Sequence, residues 1–176
     1  MRNLPDIGRH QDWRESDSRT GLFAFYRKFL RAIGHRRIAF PLRWLTVSSD
    51  RALYRLTKGR WTSSALAGIP SLTLLINRPN GVVMVPLQYL TLDGALYIVG
   101  TNWGREIQPR WSAWLQSGSE CAVNIRGKEL PCIAEHIVGI ERPGVWHEIT
   151  ALSPYLAQCQ DRTRRELPVF RLRVAG

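Results

Sequence analysis

Long apolar runs are missing from this 176-residue chain, although 44% of its residues are hydrophobic. Because a helix that spans a membrane needs about 20 consecutive apolar residues, the sequence predicts no transmembrane helix. The first stretch mixes basic and acidic side chains and has no apolar segment of the kind found in secretory signals. We therefore expect a cytoplasmic protein, with peripheral attachment to the inner face of the cell membrane left open.

Cysteine is scarce and histidine is scattered. The three cysteines, Cys121, Cys132 and Cys159, form no CxxC pair, which argues against a disulfide scaffold and indicates reduced thiols. The four histidines show no spacing typical of metal ligands, so no metal site is predicted. No serine lies in a GxSxG setting, which argues against that class of hydrolase.

Acidic residues are absent between Asp17 and Asp50, and the basic charge is concentrated near the start of the chain. Residues 1–60 carry 14 Lys/Arg against 5 Asp/Glu, so most of the net charge of +11 lies there. The same region has apolar residues at helical spacing, namely Leu22, Phe25, Tyr26, Phe29 and Ile33. We therefore predict a basic amphipathic helical arm over residues 1–60 and, as a possible partner, a membrane surface that residues 19–61 contact.

Two other interpretations of this arm fit the same residues. The first is an ordinary helix that packs on the core and has a solvated basic face. The second is binding to nucleic acid, which we do not expect because no helix-turn-helix, zinc or RNP pattern accompanies the charge.

From Ser71 onward the pattern changes to short strands. Strands are predicted at residues 71–78, 82–92, 95–101, 120–138 as a hairpin that turns at Gly127, and 166–174, and helices at about 109–116, 141–152 and 154–162. Asn80-Gly81 and Asp93-Gly94 are typical tight-turn dipeptides. Six short antiparallel strands without βαβ alternation predict a mainly β, α+β fold, with a split β-barrel over residues 61–176.

Residues 77–115 are the part of the chain on which the functional prediction depends. They comprise strands, a polar loop with Gly100 and Gly104, and a helix that opens at Pro109. Backbone N–H groups at such a helix start, together with the helix dipole, are suited to an anionic cofactor.

An ordered set of motifs carries a resemblance to a known family. These motifs are N-R-P-N-G with V-P-L-Q-Y, then T-N-W-G-R with P-R-W-S-A-W-L, and finally Q-D-R-T-R-R-E-L-P-V. From about Thr73 to Val174 the chain resembles the deazaflavin (F420)-dependent nitroreductase and quinone reductase family. The resemblance implies a split β-barrel oxidoreductase with an FMN-binding-like fold.

The same resemblance implies coenzyme F420 as the cofactor, with FMN or no cofactor as alternatives. The implied cofactor-binding residues are Arg78, Pro79, Asn80, Pro86, Leu87, Tyr89, Gly100, Thr101, Asn102, Trp103, Pro109, Arg110 and Trp111. Arg78 and Arg110 would meet the anionic tail of the cofactor, because guanidinium groups bind phosphate and carboxylate in a bidentate manner. Trp103 or Trp111 would cover the flat ring.

By this resemblance the chain would transfer a hydride from F420H2 to a quinone, a nitroaromatic or a similar apolar unsaturated substrate. Tyr155 or water would donate a proton, and Leu156 and Cys159 would lie near the substrate. A homodimer is a further possibility implied by the family. The alternative is a non-catalytic, membrane-associated binder of a fatty acid or another apolar ligand, since Asn77 and Pro79 depart from the family's usual first motif.

Overall fold

The computed structural model describes residues 70–174, and the predicted helical arm at residues 1–60 lies outside them. Its strands are β1 (Ser71–Arg78), β2 (Gly81–Gln88), β3 (Leu90–Leu92), β4 (Ala95–Val99), β5 (Cys121–Ile125), β6 (Lys128–His136) and β7 (Val169–Val174). Its helices are α1 (Arg110–Gln116), α2 (Arg142–Leu152) and α3 (Pro154–Gln160), with 3-10 turns at Asn102–Gly104 and Gly139–Glu141. Within residues 70–174, no helix combines the length and apolar character that crossing a membrane requires.

All seven described strands join one antiparallel sheet in the order β2-β1-β5-β6-β7-β4-β3. β2 and β3 are separated only by Tyr89, yet they lie at opposite ends of this order. The sheet must therefore curl until its two edges approach each other at Tyr89. This curling confirms the predicted split barrel and the α+β class.

The predicted strand over residues 82–92 is divided in the structure, so the described part has seven strands rather than the six expected. Residues before Tyr89 pair with β1, whereas those after it pair with β4. The backbone N–H of Tyr89 instead donates to the carbonyl of Pro70 at 3.3 Å. The change of pairing partner is a tertiary effect that local hydrophobic alternation does not report.

The core has two parts that fix the position of the loop after β4. The first lies inside the curled sheet and includes the fully buried Leu74, Val123 and Phe170. The second lies between the sheet and the two C-terminal helices and includes Tyr97 and Ile149. β4 contributes to both parts, so its end is held firmly where the polar loop begins.

The boundaries of α1 and α3 differ slightly from the prediction. Pro109 is extended, with φ −60° and ψ 136°, and caps α1 instead of forming its first turn. α3 ends at Gln160 and is followed by a turn. In this turn the backbone N–H of Arg162 donates to the carbonyl of Cys159 at 3.3 Å. This turn brings residues 162–165 back toward the loop after β4.

Candidate functional site

The loop between β4 and α1 presents a tryptophan on the surface. Asn102 and Trp103 both have left-handed backbone angles, with φ of 40° and 63°. The Asn102 amide donates to the carbonyl of Ile107 at 2.7 Å, which closes the loop on itself. The indole of Trp103 is 41% exposed. Since non-glycine residues rarely adopt such angles without support, the local packing must hold this loop in place.

Arg165 supplies much of that support. Its Nε donates to the carbonyl of Arg105 at 2.8 Å, and its Nη2 donates to the carbonyls of Gly100 at 3.0 Å and Thr101 at 2.8 Å. Burial lowers the pKa of Arg165 below its ordinary value. Arg165 belongs to the Q-D-R-T-R-R-E-L-P-V motif, and the structure directs its guanidinium group to carbonyls of the loop.

Two glycines let the loop lie directly on its neighbours. The N–H of Gly100 donates to the carbonyl of Pro168 at 2.8 Å, and a Cβ on Gly100 would lie 2.7 Å from Pro168 Cγ. A Cβ on Gly104 would lie 2.7 Å from the carbonyl oxygen of Cys159 in α3. Neither position has room for a side chain, so the close approach of the loop depends on both glycines.

Glu106 forms a second attachment between the same two segments. Its carboxylate accepts a hydrogen bond from the backbone N–H of Arg164 at 3.0 Å and another from the Thr163 hydroxyl at 3.0 Å. The bond from Arg164, followed by that from Thr163, lowers the pKa of Glu106 below its ordinary value, although some desolvation opposes this. The charged carboxylate therefore favours the observed loop position.

The Glu106 attachment predicts a local change at acidic pH. Because the folded-state pKa lies below the ordinary 4.5, the contribution of Glu106 to stability is complete above that value. It is lost as the pH falls through the lowered pKa. The amide resonance of Arg164 in NMR spectra should shift over this range below pH 4.5. Glu106→Gln should abolish that titration, and an unchanged titration in this variant would assign it to another group.

Arg78 connects the end of β1 to α1. Its Nη1 donates to the Ser119 hydroxyl at 3.2 Å, and its guanidinium carbon lies 4.9 Å from the ring centroid of Trp114. Arg110 precedes Trp114 by one helical turn, so both lie on the same face of α1. The fold thus brings Arg78 and Arg110, which are distant in sequence, to the surroundings of one tryptophan. α1 has only seven residues, and these two cations rather than its dipole supply the positive charge.

Trp114 was not among the predicted site residues. The available signal was its spacing from Arg110 within the P-R-W-S-A-W-L motif, which places the two side chains together only if the segment is helical. Its contact with Arg78 could not be anticipated, because it depends on the packing of β1 against α1.

The remaining predicted cofactor residues fall into two groups. Pro79 and Asn80 are exposed in the β1–β2 turn. Pro86, Leu87 and Tyr89 are half-buried, and the latter two pack against the core inside the sheet. Burial raises the pKa of the Tyr89 hydroxyl, partly opposed by Arg126. Of these five predicted cofactor residues, the structure thus places only Pro79 and Asn80 fully at the surface.

Trp111 is less suited to covering a cofactor ring than Trp103. It is only 8% exposed, and its ring centroid lies 5.8 Å from that of Phe170 in the core. Neighbouring Ser112 donates to the carbonyl of Pro109 at 2.8 Å, which stabilises the start of α1. Of the two tryptophans that the sequence offered for this role, the structure therefore favours Trp103.

The predicted catalytic and substrate residues lie on α3, against which the loop packs. The hydroxyl oxygen of Tyr155 is shielded from solvent, and the rest of its side chain is partly exposed. Leu156 is 7% exposed and belongs to the core beneath the helices, while Cys159 is fully buried. Both side chains thus have packing roles, and their contact with substrate stays a prediction. No cluster within residues 70–174 provides a metal site.

Comparison with known proteins identifies the family. The model of the F420H(2)-dependent quinone reductase family matches residues 46–173, which is most of the chain. The chain belongs to this family. It is accordingly an F420-dependent oxidoreductase, as the ordered motifs predicted. An exposed Trp103, on a loop whose glycines pack closely against their neighbours, is compatible with the flat ring of the cofactor. The pair Arg78 and Arg110 is compatible with its anionic tail.

Two solved structures support the fold. The structure of an F420-H2 dependent reductase (FDR-A) is 24% identical, with a TM-score of 0.53 over 59% of this chain and 94% of that one. A protein solved as a domain-swapped dimer is 22% identical, with a TM-score of 0.53 over 76% of this chain and 99% of that one. At these identities the comparison confirms the split barrel.

Proposed function

We propose that this reductase transfers a hydride from F420H2 to a quinone, a nitroaromatic or a similar apolar unsaturated substrate. The family description supports a quinone as the acceptor. The observation that carries the proposal is the exposed Trp103, held in a left-handed conformation on a loop that Arg165 and two close-packed glycines fix in place. A flat apolar acceptor and a flat cofactor ring both suit an indole surface.

We assign binding of the anionic tail to Arg110 and Arg78. Arg110 is exposed and forms no ion pair within residues 70–174. Arg78 is already oriented by Trp114 and Ser119, so less side-chain entropy is lost when it meets an anion. Bound F420H2 supplies the hydride chemistry, and the protein binds and orients the reactants and excludes water.

In this proposal Tyr155 donates the proton that the reduced acceptor requires. Its hydroxyl oxygen is shielded from bulk water and lies on α3, the helix that contacts the loop at Gly104. Shielding keeps a donor from exchanging its hydrogen bond with solvent before substrate arrives. Leu156 and Cys159 then shape the side of the site formed by α3.

Replacing Arg110 with alanine tests the proposed cofactor site. Losing one charge-assisted contact should raise the Kd for F420 about tenfold, since about 1.4 kcal/mol corresponds to that factor. Binding is followed by quenching of cofactor fluorescence, and turnover by oxidation of F420H2 with a soluble quinone. Arg173→Ala is the matched control, because Arg173 on β7 is exposed and its charge pairs with Glu135 on β6.

Three results would contradict the proposal. The first is no binding of F420 by the wild-type chain at micromolar concentration, and the second is an equal loss of affinity in Arg110→Ala and Arg173→Ala. The third, cofactor binding without oxidation of F420H2 by any quinone or nitroaromatic, would favour the alternative of a non-catalytic binder of an apolar ligand.

Two further partners, a membrane surface and a second copy of the chain, are part of the proposal. Contact of residues 19–61 with a membrane surface rests on the basic, aromatic composition of that segment, and it stays a prediction. A homodimer also stays a prediction, supported by the dimeric assembly of one protein of similar fold.

A further inference from the structure

Cys121 and Cys132 face each other across two adjacent strands. They are direct partners in the antiparallel register of β5 and β6. Their sulfur atoms lie 3.4 Å apart, and Cys121 Sγ also lies 3.3 Å from the carbonyl oxygen of Cys132. Both are free thiols in the structure. The function proposed above uses neither of them.

The backbone geometry is already suitable for a bond between the two sulfurs. Directly opposed residues in an antiparallel pair have Cα atoms about 4.5–5.5 Å apart, which is within the range found for disulfides. β5 is also paired with β1, and β6 is also paired with β7, so neither strand is free to separate from the other. Rotation of the two side chains is therefore sufficient to bring the sulfurs together.

The surroundings distinguish the two thiols. Cys121 is half-buried, whereas Cys132 is only 8% exposed. Hydrogen bonding from the Cys132 thiol lowers the pKa of Cys121, and the same hydrogen bond together with burial raises the pKa of Cys132. Cys121 is thus the better attacking thiolate, and Cys132 is placed to react second.

We propose that Cys121 and Cys132 form a redox-active dithiol that small-molecule disulfides oxidise to a cross-strand disulfide. The Cys121 thiolate attacks one sulfur of the oxidant and expels the other as a thiolate, which leaves a mixed disulfide on Cys121. Cys132 then loses its proton to solvent and attacks the Cys121 sulfur, which expels the second small-molecule thiolate. The protein loses two electrons and two protons in total, and the oxidant becomes two thiols.

The Cys121–Cys132 pair lies close to residues that contact the end of β1. Glu120 precedes Cys121, and its carbonyl accepts from the N–H of Asn77 at 3.0 Å. Ser119, one residue earlier, accepts from Arg78. The dithiol therefore lies next to the segment that anchors one of the two proposed tail-binding cations.

Treating the reduced full-length chain with oxidised glutathione tests the proposal. Intact mass should fall by two hydrogen atoms, without lasting addition of glutathione at Cys121 or Cys132. A non-reducing digest should contain the Cys121 peptide joined to the Cys132 peptide, while Cys159 stays open to alkylation after denaturation. Phenylarsine oxide, a probe for closely spaced dithiols, should bind the reduced wild-type chain in a one-to-one ratio and protect both thiols from alkylation.

Two variants separate the roles of the thiols. Cys132→Ala should accumulate glutathione on Cys121, because the resolving thiol is missing. Cys159→Ala should form the same disulfide between Cys121 and Cys132 as the wild-type chain. Stable glutathione on Cys121 of the wild-type chain, a disulfide to Cys159, or unchanged alkylation of both thiols after oxidant treatment would each overturn the proposal. The wild-type measurements decide the matter even if a variant folds poorly.

Discussion

Replacing Arg165 with alanine is expected to lower kcat/KM for F420H2 by roughly 30- to 100-fold, while most of the fold is retained. The guanidinium holds the carbonyls of Gly100, Thr101 and Arg105 together. Without it, those carbonyls turn toward water and the loop no longer holds Trp103 in one position. The loss corresponds to about 2–3 kcal/mol, which is on the order of one or two charge-assisted hydrogen bonds.

Steady-state kinetics with a soluble quinone and a thermal unfolding scan would measure this effect. Arg164→Ala is the matched control, since Arg164 is exposed and reaches Glu106 through its backbone N–H, which alanine also provides. It should keep kcat/KM within about threefold of the wild-type value, because surface substitutions cost about 0.5 kcal/mol or less. An equal loss in both variants would indicate that Arg164 and Arg165 bind the cofactor directly.

Alanine at Gly104 is the second substitution with a large expected effect. The backbone there has φ of +74°, which costs about 1–2 kcal/mol for a residue with a Cβ. The new Cβ would also lie 2.7 Å from the carbonyl oxygen of Cys159 and 2.7 Å from Cβ of Arg162, and neither of these atoms is the free end of a flexible side chain. Overpacking of this kind costs a further 1–3 kcal/mol, roughly. We expect a lower Tm, an altered Trp103 environment and at least about a tenfold loss of F420H2 oxidation.

Gly94→Ala separates the two causes. Gly94 has a similar φ of +76°, but a Cβ there would meet nothing within 4 Å. Alanine at Gly94 therefore has the same conformational penalty as alanine at Gly104 but makes no close contact. The loss of stability in Gly94→Ala should be smaller, and its activity should be close to that of the wild type. If the two variants lost equal activity, the close contact between the loop and α3 would not be what supports the site.

The local elements of this protein could be predicted well because their signals are local. Alternation of apolar residues and the Asp93-Gly94 turn dipeptide placed the strands around them, and β1 has the predicted bounds at Ser71–Arg78. These local patterns could not predict that the strand over residues 82–92 divides at Tyr89. That division depends on which neighbour each half meets once the sheet has curled.

The site was predicted less completely than the fold. The loop with Gly100 and Trp103 was identified from its motif, and the structure shows it fixed on Pro168 and α3. The sequence contained Arg165 only as part of the Q-D-R-T-R-R-E-L-P-V motif, and its role could not be predicted because its three acceptors lie 60 to 65 residues earlier in the chain. Trp111 and Trp103 were equivalent in sequence, and only burial against Phe170 distinguishes them.

The sequence by itself determined the strand and turn pattern, the family and, through the family, the cofactor. These follow from local periodicity and ordered motifs, which do not require a known three-dimensional arrangement. The tertiary structure alone decided which residues that are distant in sequence meet. It brought Arg78 to Trp114, Arg165 to the loop carbonyls and Cys121 to Cys132, because the curling of an antiparallel sheet sets which distant residues become neighbours.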